Sequence, residues 1–182
     1  SSAASDVYKR QALYMAFHMC NRFHAEYHVF DIITDLLSNG RSSRFIQTLV
    51  QEKKLFTSID AYISGSLDEG LLHITGKPAS GITLEQAEEA VWQELDKLKT
   101  IPVAEEELEK VKNRYESEQI FNNINYLNVA TNLAFFELLG HAEDINLEVG
   151  KYRSVTVGQI QDTACRTFVP ENCNILYYKA IK

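Results

Sequence analysis

The sequence predicts an α+β domain in which a mainly antiparallel sheet of about four strands is covered on one face by helices. Three observations predict it. The run Ala12-Leu13-Tyr14-Met15-Ala16-Phe17-His18-Met19 is short, apolar and aromatic, as a buried strand is. Ile59, Ala61 and Ile63 alternate with polar neighbours and are followed, past Gly65 to Gly70, by the return run Leu71–Thr75, which reads as an antiparallel hairpin. Between and after these strands lie apolar positions at helical spacing, two of them opened by capping boxes. Four strands exclude a helix bundle, and the hairpin argues against an all-parallel sheet.

Taken in order, the small polar residues Ser1 to Ser5 have neither a basic start nor an apolar stretch behind them. Residues 1–10 therefore read as a linker or a cut end, and residues 11–182 as one domain. After the first strand, Val29, Ile32, Ile33, Leu36 and Leu37 mark a helix that Asn39-Gly40 stops, because glycine accepts the left-handed backbone of a helix end. A second helix follows at once, with Ser42 or Ser43 as its cap and Phe45, Ile46, Leu49 and Val50 as its stripe. Beyond the hairpin, Lys77 to Gly81 leaves the sheet. Thr83 with Gln86 then opens a helix whose buried side is Leu84, Ala87, Val91, Leu95 and Leu98, up to Pro102.

Glu105, Glu106 and Glu107 suit the positive end of a long helix. Its apolar positions run through Leu108, Val111, Tyr115, Phe121, Ile124, Leu127, Ala130 and Ala134, with a weak point at Asn122, Asn123 and Asn125. Thr156 with Gln159 starts a last helix through Ile160, Ala164 and Phe168, ended by Pro170, and Ile175 to Tyr178 form the closing strand.

Composition narrows the function classes. The 182 residues carry a net charge of −7, with 45% hydrophobic and 24% charged residues, which is ordinary for a globular domain. An acidic chain without a Lys/Arg cluster beyond Lys53-Lys54 is a poor nucleic-acid binder. No apolar run approaches the roughly 20 residues of a membrane span, so the sequence predicts a soluble chain, cytoplasmic or periplasmic. Cys20, Cys165 and Cys173 are odd in number and form no C-x-x-C pair, so they read as free thiols packed as small hydrophobes.

Several stretches, in this order, resemble the insulinase/pitrilysin family of zinc peptidases, which includes mitochondrial-processing-type enzymes. Leu36-Leu37-Ser38-Asn39-Gly40-Arg41-Ser42-Ser43-Arg44-Phe45 is similar to the helix–Gly–Ser–Ser–Arg joint of the family's C-terminal half. Val50 to Ser58 resembles the segment entering the central strand, and Glu105 to Lys112 its E-E-L-E-x-x-K helix start. Ser154-Val155-Thr156 through Phe168-Val169-Pro170-Glu171-Asn172 resembles its closing element. The resemblance implies a clamshell of two similar halves, on one chain or two. One half holds Zn²⁺ through an H-x-x-E-H helix and a downstream Glu, and the motif's Glu acts as general base on the metal-bound water. The other half supplies walls and peptide contacts without a metal. This chain is long enough for one half and carries no such motif, so it resembles the non-catalytic one. Its partner is then the catalytic half, its substrates are peptides, and the zinc is expected in that partner half.

The candidate peptide contacts under this resemblance are Gly40, Arg41, Ser42, Arg44 and Thr57, each Arg being equally well placed for a surface salt bridge. One departure stands out. Such halves commonly carry an Arg and, seven positions on, a Tyr, whose donors stabilise charge on the substrate carbonyl. Here those positions are Val50 and Thr57, or Gln51 with a one-residue gap. Either Lys53 or Lys54 assists instead, or the chain is a structural or assembly module, as family-like subunits of respiratory complexes are.

The remaining candidates have blander readings. His24-Ala25-Glu26-Tyr27-His28 is H-x-E-x-H, which could make an autonomous metal site. With Glu26 on the far side of such a helix, both histidines read better as exposed and incidental. His18 and His73 read as core or half-buried strand residues with a local hydrogen bond, and His141 as a solvent-facing cap. Ser42 and Ser43 lack the G-x-S-x-G elbow of a nucleophile.

Overall fold

A computed structural model describes residues 11–65, 67–122 and 124–179. The first ten residues, expected as a linker, lie outside the described residues. Four strands, β1 (Ala12–Met19), β2 (Phe56–Ser64), β3 (Gly70–Pro78) and β4 (Cys173–Tyr178), form one sheet in the order β2-β3-β1-β4. Every pair is antiparallel. Among the described residues seven helices of eight residues or more accompany them: α1 (Tyr27–Ser38), α2 (Phe45–Glu52), α3 (Leu84–Thr100), α4 (Glu105–Asn122), α5 (Tyr126–Leu139), α6 (Ile145–Ser154) and α7 (Val157–Thr167).

The alternation in β1 decides which face is covered. Leu13, Met15, Phe17 and Met19 are buried and stand in register with Gly76, Ile74, Leu72 and Gly70 of β3. On this side the sheet meets the apolar stripes of α1, α2, α3 and α7, including Ile33, Leu37, Phe45, Leu95 and Ile160. Phe17 lies edge-on to both Trp92 of α3 and Phe168 at the end of α7, with centroids 5.6 and 5.1 Å apart. Gly76 is required there: a Cβ would stand 2.5 Å from the Phe56 ring packed over it. The opposite face carries Ser58, Asp60, Tyr62 and Ser64 of β2, Tyr14 and His18 of β1, and Asn174, Leu176 and Tyr178 of β4, all exposed. His18 is thus exposed on the open face, not in the core, because the strand's inward parity belongs to Phe17 and Met19.

Both capping boxes form as the sequence predicts. Thr83 and Gln86 exchange hydrogen bonds at 3.2 and 3.0 Å, and Thr156 and Gln159 do so at 3.2 and 2.9 Å. The helix break also falls where the asparagines are, with the Asn125 side chain accepting from the Leu127 amide at 2.9 Å.

Other expectations need correction. Lys77 and Pro78 remain in β3, where Pro78 faces Phe56 at the strand end and loses no ladder bond there. α2 is wound as a π-helix, its end marked by the Lys53 amide donating five residues back to the Thr48 carbonyl at 2.9 Å. Neither serine caps it: the Ser43 hydroxyl donates to the Gly40 carbonyl at 2.6 Å, and Ser42 Oγ accepts from Lys110. The stripe expected through Phe121, Ile124 and Leu127 is not buried: within α4 burial already ends at Lys112, and none of the residues of α5 is buried.

Phe17→Ala should cost about 3–5 kcal/mol in urea unfolding, since it removes a fully buried ring shared by two helices. Thr83→Ala should cost only about 1 kcal/mol. Equal costs for the two would refute this assignment of the core.

Candidate substrate-facing surface

The sequence-predicted residues divide between two places. Gly40, Arg41, Ser42 and Arg44 form the joint between α1 and α2 and meet the first turns of α4. Gly40 adopts φ +92°, and Arg114 lies over it, so that a Cβ would come within 3.3 Å of Nη1. That Nη1 donates to the Asn39 carbonyl at 2.6 Å, and Nη2 stands 3.0 Å from Asp35. Arg44 makes a two-pronged ion pair with Glu107, Nε and Nη2 donating at 2.9 and 2.8 Å. Its side chain is thereby committed to α4. Arg41 and Ser42 are exposed, and the Arg41 carbonyl accepts from Gln51 at 3.3 Å.

Thr57 sits elsewhere, at the start of β2. Phe56 faces Pro78 and Ser58 faces Lys77, so Thr57 is the extra residue of a β-bulge. The bulge turns its exposed side chain toward β3, where the hydroxyl donates to the Lys77 carbonyl at 3.1 Å. Thr57 also lines an open groove of about 1110 Å³ with Tyr14, Lys77, Glu85, Tyr178 and Lys179. Two exposed aromatic rings and charges of both signs at its rim suit stacking and hydrogen bonding.

The segment between these places answers what the Arg/Tyr departure does locally. Val50 is half-buried and packs against the core. Lys53 Nζ stands 3.7 Å from the buried carboxylate of Glu94, which also accepts from Lys97 at 2.7 Å. Lys54 is exposed, on a left-handed backbone at φ 52°.

The β2 edge is partly closed. The Ser38 hydroxyl, from the last residue of α1, accepts from the Ala61 amide at 2.9 Å and lies 3.1 Å from the Ala61 carbonyl. An incoming strand would have to displace it.

The histidine pair does not make a metal site. α1 begins at Tyr27, so His24 precedes the helix and is exposed, while His28 is buried. His28 is therefore not the incidental surface residue that the sequence suggests. Its Nε2 lies 3.2 Å from Glu148, and because a carboxylate only accepts, Nε2 carries the hydrogen. Glu148 also takes Lys151 at 2.9 Å and Arg22 at 3.5 Å. Next to it, Tyr152 donates to Asp31 and stacks on Tyr115 with centroids 3.5 Å apart. Burial alone would raise the Glu148 carboxyl, but the hydrogen bonds from His28 and Lys151 outweigh it and hold the group at about 2. Burial pushes Asp31 and Tyr152 up. This cluster fastens α6 to α1. Sequence reasoning missed it, although Glu148 and Tyr152, four apart, are the two residues of α6 that are buried.

Ser64 and His73 also meet, Oγ to Nε2 at 3.1 Å, with Tyr62 stacked on the imidazole. Ser64 has one proton, and the Leu71 carbonyl lies 3.2 Å away to receive it. The pair ties two strands together. Among the described residues no group of His, Cys, Asp and Glu could hold a metal ion, so the residues present do not fit a zinc centre. No described helix is long and apolar enough to cross a membrane.

An antiparallel sheet covered by helices on one face and open on the other, with no metal-holding group among the described residues, is the class of domain that the fold and this surface define. The chain belongs to the peptidase family whose model, described as the Peptidase M16 inactive domain, matches residues 4–115. It is similar in structure to a protease from Helicobacter pylori, with a TM-score of 0.88 and 19% identity, covering 94% of this chain and 41% of that one. It is also similar to the inactive peptidase domain of a proposed zinc protease from Bordetella parapertussis, with a TM-score of 0.84 and 19% identity, covering 94% and 93%. A chain of complex III2 from Candida albicans gives 0.78 at 16% identity, covering 96% and 44%. At these identities the likeness is one of fold. This chain spans about two fifths of the Helicobacter pylori protein's length. No curated protein sequence matches.

Glu148→Gln supplies the check on the buried cluster. A carboxyl held below its unfolded value stabilises the fold above that value and loses this contribution as pH falls toward about 2. The stability gap between wild type and variant should therefore narrow by about 2 kcal/mol between roughly pH 5 and pH 3. A gap independent of pH would contradict the ionised Glu148 carboxylate held by these hydrogen bonds.

Proposed function

We propose that this chain is the substrate-enclosing, non-catalytic half of a zinc-dependent metalloendopeptidase acting on peptides or unfolded segments. The observation that carries the reading is a peptidase-family half whose open sheet face ends in a groove with exposed aromatic rings, while its buried ionisable groups are all spent on structure. The zinc and the general base belong to a catalytic partner half, on the same chain or a separate subunit. In this half Thr57, with Tyr14, Lys77 and Tyr178, meets the peptide backbone and side chains. Arg41 and Ser42 offer a second contact at the α1–α2 joint. Gly40 shapes that joint, and Arg44 fixes it to α4 without touching substrate. A stretched peptide lies across the open face, since Ser38 occupies part of the β2 edge.

A second reading is a structural or assembly module of the same fold without a part in proteolysis. Two observations favour it. Val50 offers no donor and the Thr57 hydroxyl is already spent on the Lys77 carbonyl, and the Candida albicans neighbour is a chain of complex III2.

Mixing this chain with the zinc-bearing half and following a quenched peptide separates the two. The first reading predicts at least a tenfold gain in cleavage over the zinc-bearing half alone, and a several-fold loss of that gain in Tyr178→Ala. Complex formation without any gain supports the assembly module.

A further inference from the structure

α5 carries apolar side chains around its whole circumference, interrupted by Asn128, Thr131 and Asn132. Over Tyr126–Leu139 it carries one charged residue, Glu137, and none of its residues is buried. Tyr126 is 91% exposed, Leu138 83%, Leu127 72%, and the neighbouring Phe121 and Ile124 are 71% and 70% exposed. Phe135 adds a sixth large side chain, 46% exposed, with the Arg22 guanidinium 5.9 Å from its ring and Phe136 edge-on at 6.1 Å. Helices with no polar face are ordinarily surrounded, and a fourteen-residue helix gains little stability by itself in water.

The exposed apolar surface here is on the order of 1,000 Å², above the few hundred typical of a monomer and close to one side of a stable interface. The other uncovered region, the open sheet face, also exposes Tyr14, Tyr62, Leu176 and Tyr178, but there they are interspersed with Ser58, Asp60, Ser64, Lys77 and Asn174, and three of the four carry a phenolic hydroxyl that water can satisfy. Like the Helicobacter pylori protein, a relative can carry this domain as 41% of a longer chain, which leaves more than half of the polypeptide to pack against it.

We infer that α5, with the end of α4, is the element on which the zinc-bearing half seats, inserted into an apolar groove of that half. The inference rests on the proposed function and adds the place of the contact. A helix with apolar side chains around its whole circumference is suited to insertion because a groove covers several of its sides, where a flat partner covers one. The near absence of charge on α5 lets it enter a low-dielectric contact without stranding an ion.

The test uses the full chain and the zinc-bearing half, with binding read by calorimetry separately from cleavage. Leu127→Glu and Leu138→Glu should each weaken binding at least tenfold. Neither removes a buried contact, so the thermal midpoint should stay within a few degrees of wild type. Tyr178→Ala, on the groove, should bind the half as wild type does. If both α5 variants bind normally, the seating on α5 is overturned while the enclosing role stands. If the wild-type chain does not bind the half at all, both fall. If it instead forms a dimer that either α5 variant dissociates and the zinc-bearing half does not compete with, a second copy covers α5 and the inference is overturned.

Discussion

The inward row of β1, Leu13, Met15, Phe17 and Met19, is the contact on which the rest of the structure depends. β1 lies between β3 and β4, so its side chains set the register of both neighbours and the depth at which α3 and α7 settle. Phe17 meets Trp92 and Phe168 edge-on, joining chain segments far apart in sequence. With one row committed to the helices, strand parity forces the other outward, and Tyr14 and His18 become part of an open surface. The domain's outer chemistry is thus a by-product of how its core is filled.

The ionisable groups follow the same division. Those that are buried are paired: Glu148 with His28, Lys151 and Arg22, and Glu94 with Lys97 and Lys53. Leaving any of these charges unpaired in the interior would cost several kcal/mol, so they are held in place and not free to move protons. The exposed groups at the groove, Lys77, the Glu85–Lys179 ion pair at 3.6 Å and the rings of Tyr14 and Tyr178, are open to a ligand but are not desolvated as an acid–base pair would be. Such a surface suits the binding role proposed above.

Much of the fold was legible because its signals are local. Thr83 with Gln86, Thr156 with Gln159, the alternation of Ile59, Ala61 and Ile63, and the Asn39-Gly40 stop each depend on residues a few positions apart. The misreadings arose where distant residues decide. α6 showed no apolar stripe, since what it buries is Glu148 and Tyr152, polar groups stabilised by His28 and Asp31 more than a hundred positions away. Ser42 looked like a cap but meets Lys110, and the residue at the cap position of α2 is Arg44. Apolar spacing through Phe121, Ile124 and Leu127 suggested burial; a pattern reports which residues avoid water, not whether this chain covers them. Of the five candidate contacts, Thr57 lies on the groove, whereas Arg44 is held by Glu107, a pairing across sixty-three positions.

The central claim is that this half encloses a peptide and does not cut it. The direct measurement is zinc content and peptide turnover of the purified chain after saturation with Zn²⁺ and desalting. The account predicts well under one equivalent of retained zinc and no turnover above buffer. Stoichiometric zinc with cleavage that a chelator abolishes and added Zn²⁺ restores would contradict it.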